Sequence, residues 1–564
     1  MAAWASIRRN IRFRGNTNPA FKFDVPPPQR CRASGFNFVS LPDAIYVAAG
    51  RKLLRFDLET GKQLSAWPAP DLEPDLCWGS LRIDGDRLVA TLFRPQDLID
   101  AQAGYDGNGG DWAGDRMPMA WLVVLDRHAG KVEWKRKANW GFVNRSGIAL
   151  GAGKIFCVDL VMPGVLKKWK SARRTLPEAR PMLYALDIAS GKEIWSQALD
   201  VRVKNIAYSE ERDLLLAPCR NLMVWKDGEW RDLSFDIRRG KTNRNAPGKM
   251  LAFQGSSGKI VWQVDSDAYF DPHIVLHDLI IDRHGVTYDL RTGKRHQRKS
   301  SLTGQPEWWS FRKSGCNHLI ACENLVTWRT AFFDLEHQSG VCSLTGMDAG
   351  CSPTLLPAGG ILNIPNFGTH HKRNRMTAMA LVHRPDNQLW TRYFSSREGY
   401  EGEPAPIRQA GFNFGAPGDR IADDGTLWLQ VAQQNKAFVT VQPKEVEWFQ
   451  HYAGSWIAGS GIIGVETIRI PVVLSSKSND NTSRHYTIRL YFFEPENRQP
   501  GQRVFDVQIE GKTVLSNVDI SKEAGIQKAI VRELDNVEVR GPLDIRLVPK
   551  AGKTILSGIE LRRH

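Results

Sequence analysis

Apolar and polar positions alternate with a period of two in short stretches, and each stretch ends at the same kind of turn. LYALDIASGKEIW, residues 183 to 195, is a clear copy. Successive side chains of a strand face opposite sides, so the alternation around Leu183, Ala185 and Ile188 predicts a half-buried strand. Asp187 has the short carboxylate that bonds backbone amides across a turn, and Gly191 supplies a positive φ that other residues resist. A second strand then runs through Trp195, so the segment predicts a β-hairpin.

The hairpin is written again as LLRFDLETGKQLSAW (53 to 67), LVVLDRHAGKVEW (122 to 134) and MLAFQGSSGKIVW (250 to 262). VTYDLRTGKRH (286 to 296) is a worn copy, and AFFDLEHQSG (331 to 340) keeps only the Asp and the Gly. The repeat positions are Asp57, Gly61 and Trp67; Asp126, Gly130 and Trp134; Asp187, Gly191 and Trp195; and Gly258 with Trp262. Gly61, Gly130, Gly191, Gly258, Gly293 and Gly340 stand 69, 61, 67, 35 and 47 residues apart. A four-stranded propeller blade takes about 40 to 50 residues. The longer intervals hold polar insertions such as AQAGYDGNGGDWAGDRM and KKWKSARRTLPEARP, so the spacing predicts a propeller with long loops on one face.

Composition agrees with many short strands. The chain has 564 residues, too many for one ordinary core, and its 42% hydrophobic and 24% charged residues are those of a globular protein. Nineteen Trp suit pleated surfaces, while 49 Gly and 30 Pro punctuate them.

The turn ALDIASGKEIW resembles the blade signature of the PQQ-like β-propellers, in which the Trp packs between neighbouring blades. GCNHLIACENLVTWRTAFFDLE, GMDAGCSPTLLPAGGILNIPNF and MALVHRP resemble the closing blades of bacterial multi-domain proteins of this type. The resemblance covers residues 35 to 390. Residues 1 to 34 are expected to supply a closing strand or to belong to a lost upstream domain. Beyond residue 390 the repeats stop, and GFNFGAPGDRIADDGTLWLQ, YTIRLYFFEPENRQPGQRVFDVQIEGKTVLSNVDISKEAG and LSGIELRRH resemble a malectin-like module over residues 391 to 564. Tyr486, Ile488, Leu490 and Phe492 give it a strand with one buried side. The expected fold is all-β: a seven- or eight-bladed PQQ-like β-propeller followed by a malectin-like β-sandwich.

The net charge of +15 is unevenly placed, because residues 386 to 564 hold 22 Lys and Arg against 22 Asp and Glu. The excess on residues 1 to 385 favours an acidic partner. The basic loops VLKKWKSARR (165 to 174), RRGKTNRNAPGK (238 to 249) and GKRHQRK (293 to 299) interleave one aromatic, Trp169, which is too few stacking platforms for nucleic acid. No run of about 18 apolar residues marks a transmembrane segment. Arg8 and Arg9 interrupt any apolar leader, so no signal peptide is visible. The resemblance implies an extracytoplasmic setting, periplasmic or cell-surface, which needs an N-terminally truncated sequence; the other choice is the cytoplasm.

Candidate chemistry has three sources. Quinone dehydrogenases of the propeller family add a vicinal disulfide and a Ca2+ site; none of the eight cysteines are adjacent, so PQQ is not expected and no cofactor is predicted. A polysaccharide lyase or hydrolase on the propeller axis would draw on His273, His318, His370, His371 and Arg373, a base and cations for a uronate, with a divalent metal left open. The third source is sugar binding by the malectin-like module. The resemblance puts Pro495, Glu496 and Asn497 where aromatic ligand contacts are expected, which leaves Phe412, Asn413, Trp428, Tyr491 and Glu494 as candidates. Cys316 and Cys351 flank the last blades; an exported chain would join them in a disulfide contributing about 3 to 4 kcal/mol in the chain-entropy model.

The functional expectation is a non-catalytic binding or scaffold protein, its propeller engaging protein or acidic glycan and its sandwich assisting. The alternative is a carbohydrate-active enzyme. A PQQ-dependent dehydrogenase comes third.

Overall fold

The computed structural model describes residues 38–564 except 98–117, 144, 162–179, 204, 227–228, 233–234, 237–240, 243–247, 267–272, 312, 314–318, 337, 339, 345–354, 359–360, 365–377, 381–389, 394–401, 433–438, 452–454 and 475–479. Antiparallel strands dominate. The first unit is a four-stranded meander, Phe38–Ser40, Ala44–Ala49, Lys52–Asp57 and Gln63–Pro68. The second (Cys77–Asp84, Arg87–Phe93, Pro118–Asp126, Val132–Val143) and the third (Ile148–Gly151, Lys154–Asp159, Met182–Asp187, Glu193–Ala198) share one sheet through the pair Phe142 and Asp159. Buried Asp159 holds that seam by accepting the amides of Asn139, Trp140 and Gly141 at 2.7, 3.0 and 2.8 Å.

A fourth unit pairs Val201–Val203 and Ala207–Ser209 with Leu214–Lys226, Gly248–Gln254 and Ile260–Ser266. Shorter sheets follow: Ile274–Leu276 to Thr287–Asp289, Ile320–Cys322 to Val341–Ser343, and Leu356–Ala358 to Ala378–Met379. A separate hairpin, Gln297–Lys299 with Pro306–Trp308, stands between the first two of these. The strands Phe38–Ser40, Cys77–Asp84, Ile148–Gly151, Ala207–Ser209, Ile274–Leu276 and Ile320–Cys322 neighbour one another in that order, as the innermost strands of propeller blades do.

The repeat turns are built alike. Asp187 accepts the amide of Ser190 at 2.7 Å and its hydroxyl at 2.6 Å, Asp57 does the same with Thr60, and Asp126 accepts the amides of His128 and Ala129. Gly61, Gly130, Gly191, Gly258 and Gly293 have φ between 68° and 71°, the left-handed region. Four of these glycines also meet the preceding unit. A Cβ on Gly191 would lie 2.6 Å from the ring of Trp134, and Gly130, Gly258 and Gly293 sit as closely under Trp67, Trp195 and Trp262. The indole N–H groups of Trp134, Trp195 and Trp262 donate to the turn carbonyls of Ile188, Gly255 and Leu290 at 2.8 to 2.9 Å. Each Trp is therefore a key, and the next turn is its lock. The fourth turn has Gln254 in place of Asp; there Asp213 accepts from Gln254 at 2.8 Å and from the Ser256 amide at 3.0 Å.

In an antiparallel meander the first and third connections share one end, and the second emerges at the other. The insertions of the second, third and fourth units all interrupt the second connection, between Phe93 and Pro118, Asp159 and Met182, and Lys226 and Gly248. They leave from the face opposite the locked turns.

The C-terminal sandwich has a six-stranded sheet ordered Arg420–Ile421, Leu427–Val431, Gln409–Phe414, Gly558–Arg563, Ser483–Phe493, Ala529–Arg540. It faces a five-stranded sheet ordered Thr440–Gln442, Thr467–Ile470, Leu543–Ala551, Val504–Ile509, Lys512–Val518. Tyr486, Ile488, Leu490 and Phe492 are all fully buried between them, with Phe412, Phe414, Ile468, Ile545, Val507 and Leu561.

Candidate functional site

Strand Glu447–Gln450 reads EWFQ and pairs with Ser460–Ile463, so that Phe449 lies opposite Gly461. A Cβ on Gly461 would stand 2.5 Å from the Phe449 ring, so the missing side chain lets the ring lie close against the sheet. Phe449 stacks on Phe493, centroids 6.3 Å apart, and His451 lies 5.5 Å from the same ring. Beside this pair opens a groove of about 440 Å3 lined by Gly415, Pro417, Gln430, Trp448, Phe449 and Gln450. Its floor is fixed by the Gln450 amide donating to the Gly415 carbonyl at 2.9 Å, and by the Gln430 N–H donating to Asp419 at 2.8 Å. Trp448, Phe449 and Gln430 are half-buried and Gln450 is exposed. Half-buried rings beside side-chain amides offer a sugar ring a stacking face and its hydroxyls both donors and acceptors.

The outer face of the six-stranded sheet brings together three residues expected from sequence. Trp428, 2% exposed, lies across Gly411 and meets Trp456 and Tyr491 edge-on, at 5.5 and 5.3 Å. Asn413 is buried between the Trp456 carbonyl, to which it donates at 3.3 Å, and the Ser460 hydroxyl, from which it accepts at 3.1 Å. Tyr491 donates to buried Glu560 at 2.9 Å; burial and that carboxylate push its phenol well above the usual value. Arg489 and Arg562 flank Glu560 at 3.6 and 3.3 Å.

The other two stand apart. Phe412 points into the core. Glu494 is fully buried in an ion pair with Arg503 at 2.7 Å, and burial raises its carboxyl above the usual range. Arg503 also reaches Glu496 at 2.9 Å, so an acid–guanidinium network stands where the malectin resemblance leads one to look for aromatic rings. Sequence reasoning missed Trp448, Phe449, Gln430 and Gln450. The aromatic density of EWFQHYAGSW was the available signal.

In the propeller, His273 is buried directly before Ile274–Leu276. His318, His370, His371, Arg373, Cys316 and Cys351 lie outside the described residues. Among the described residues no three His, Cys, Asp or Glu converge in a metal-sized group, and Cys77, Cys157, Cys219, Cys322 and Cys342 are free thiols. The innermost strands are mixed: half-buried Ala149, Leu150, Ala207, Ile274, Val275 and Ile320 stand beside Ser80, Tyr208 and Arg82, whose guanidinium donates to the Ile148 carbonyl at 3.1 Å.

The family model described as Malectin domain matches residues 480–557, and the model for outer membrane protein assembly factor BamB matches residues 118–268. The chain joins a PQQ-like propeller to a malectin-like domain. Among solved structures, BamB from Moraxella catarrhalis is 13% identical with a TM-score of 0.31, covering 64% of this chain and 91% of that one. A Bacteroides uniformis β-glucuronidase is 18% identical with a TM-score of 0.23, covering 28% of this chain; the chain spans 18% of that enzyme's length. The ANXUR2 extracellular domain from Arabidopsis thaliana is 18% identical with a TM-score of 0.21, covering 28% and 41%. Comparison with curated proteins gave no significant match. No helix among the described residues is long and apolar enough to cross a membrane.

Proposed function

We propose that this is a non-catalytic, extracytoplasmic binding protein that engages carbohydrate through the groove of its malectin-like module and uses the propeller as a scaffold for protein or glycan partners. The observation that carries this reading is the groove itself: Trp448 and Phe449 beside Gln430 and Gln450 in a module whose family is associated with sugars. None of its lining residues is ionisable, so the local contact is with sugar rings and hydroxyls. The positive excess on residues 1 to 385 adds long-range attraction for an acidic glycan. The reading includes no quinone, since the sequence lacks adjacent cysteines.

The test is a glycan array followed by titration calorimetry with the full chain and the variants Trp448→Ala and Gln430→Ala. Stacking on one ring is worth about 1 kcal/mol or more, so Trp448→Ala is expected to weaken a hit at least roughly fivefold. A hit unaffected by both variants moves the binding site elsewhere, and no hit on any neutral or acidic glycan leaves only the scaffold role.

A further inference from the structure

We infer that two eroded copies of the repeat turn are sockets that hold the malectin-like module to the propeller as though it were a neighbouring blade, so that both modules form one cooperative unit. The inference needs no ligand and stands apart from the carbohydrate reading.

The first socket is the turn that ends at Gly340. Its φ of 82° keeps the left-handed geometry of the intact turns. In those turns the glycine lies under a Trp of the preceding unit, whose N–H in three of four cases donates to a turn carbonyl. Over Gly340 the place of that Trp is taken by Tyr393: a Cβ there would lie 2.9 Å from its ring, and its phenol donates to the Gln338 carbonyl at 2.5 Å. Tyr393 belongs to the segment leading into the sandwich. The adjoining backbone bonds both modules at once. Arg392 exchanges hydrogen bonds with Val341 of the propeller at 2.8 and 3.0 Å, while Thr391 exchanges them with Asp419 of the sandwich at 2.8 and 2.6 Å.

The second socket is a copy that the sequence conceals. In SSLTGQPEW (300 to 308), Ser300 stands for Asp and Gln305 for Lys, yet the bonding repeats that of residues 187 to 192. Gly304 donates to the Ser300 carbonyl at 2.9 Å as Gly191 does to Asp187 at 2.8 Å, and Ser300 donates to Gln305 as Asp187 does to Lys192, both at 2.8 Å. The Gln305 amide reaches the Thr303 hydroxyl at 3.2 Å as the Lys192 amide reaches Ser190 at 3.3 Å. Trp308 follows four residues after Gly304, the spacing of Trp195 from Gly191.

The neighbour of Gly304 is the stem of Arg408 in the sandwich, 3.6 Å from where a Cβ would stand. Leu302, at the tip of this turn, is fully buried within the sandwich core, and its carbonyl accepts from Arg408 and Gln409 at 2.7 and 3.2 Å. Arg298, paired with buried Glu307 at 2.8 Å, lies over the Tyr393 ring at 5.8 Å and so links the two sockets. The sandwich cannot open without exposing Leu302, and the propeller cannot release Leu302 without breaking that hairpin.

Scanning calorimetry and hydrogen exchange on the full chain test this. The unaltered chain is expected to unfold in one transition. Leu302→Asp combined with Tyr393→Ala is expected to split it into two, roughly 4 °C or more apart. Tyr393→Phe, which removes only the bond to Gln338, keeps the fold and is expected to raise exchange both at residues 338 to 341 and at 391 to 393; it decides the matter if the double variant does not fold. Two independent transitions in the unaltered chain, a single transition retained in the double variant, or unchanged exchange in Tyr393→Phe would each overturn the inference.

Discussion

Gly191→Ala tests whether the repeat glycine is kept for its backbone angle or for the ring that lies on it. At φ 70° an alanine costs about 1 to 2 kcal/mol through its Cβ alone. The new Cβ would also stand 2.6 and 2.7 Å from two atoms of the Trp134 ring, and that ring is pinned by its N–H to the Ile188 carbonyl at 2.8 Å. Moving it costs about 1 to 3 kcal/mol of overpacking, with about 1 kcal/mol more if the hydrogen bond breaks. The expected total is about 2 to 5 kcal/mol, or about 3 to 6 kcal/mol if the hydrogen bond breaks. Gly153→Ala is the control: its φ is 68° and nothing lies within 4 Å, so only the backbone cost of about 1 to 2 kcal/mol applies. In a Trp134→Ala background, itself about 3 kcal/mol less stable, Gly191→Ala should fall to the control value. Urea midpoints of the chain's unfolding transition, read by far-UV circular dichroism, give the cycle. Costs that add to within about 0.5 kcal/mol would refute the lock-and-key account.

Gln254→Asp restores the repeat consensus but sets a second carboxylate beside Asp213, which now accepts from Gln254 at 2.8 Å. It is expected to destabilise by about 1 kcal/mol at neutral pH and less as pH falls toward 4, seen as a lower melting midpoint. Arg503→Met leaves Glu494 buried without its ion pair and should cost about 3 to 5 kcal/mol, with much of the loss recovered by adding Glu494→Leu, as denaturant midpoints would show. Asp57, Asp126 and Asp187 are held below the ordinary value of 3.8, by the Thr60 hydroxyl, the Ala129 amide and the Ser190 hydroxyl respectively. Their contribution is therefore complete above the unfolded value and lost as pH falls below it, so the melting midpoint of the chain should fall below about pH 4, and fall less in an Asp187→Asn variant.

The repeat was legible because the same steric demand recurs. Asp, Gly and Trp are each fixed by local geometry, so LYALDIASGKEIW shows in its letters what the turn does in space. The burial of Tyr486, Ile488, Leu490 and Phe492 followed from strand alternation for the same reason. The concealed turn at Ser300 to Gly304 was not legible, because Ser and Gln meet the same hydrogen-bonding needs as Asp and Lys. Nor could spacing tell that Asn413, Trp428 and Tyr491 share the outer face of a sheet while Phe412 and Glu494 do not. That division depends on which strands pair: Gly411 opposite Trp428 and Tyr491 opposite Gly558. The groove residues come from two strands, Leu427–Val431 and Glu447–Gln450, and from the loop after Phe414, and their meeting is a tertiary fact.

The second, third and fourth units carry their insertions at the end away from the repeat turns. Every locked turn has its glycine beneath a neighbour's indole, so an added residue there would displace the ring and loosen two blades at once. None of these indole contacts lies at the opposite end of the described strands. Variation in this architecture is thus channelled to one side: the face of the turns conserves the scaffold's shape, and the other face is free to be rewritten from one descendant to the next without unseating a blade.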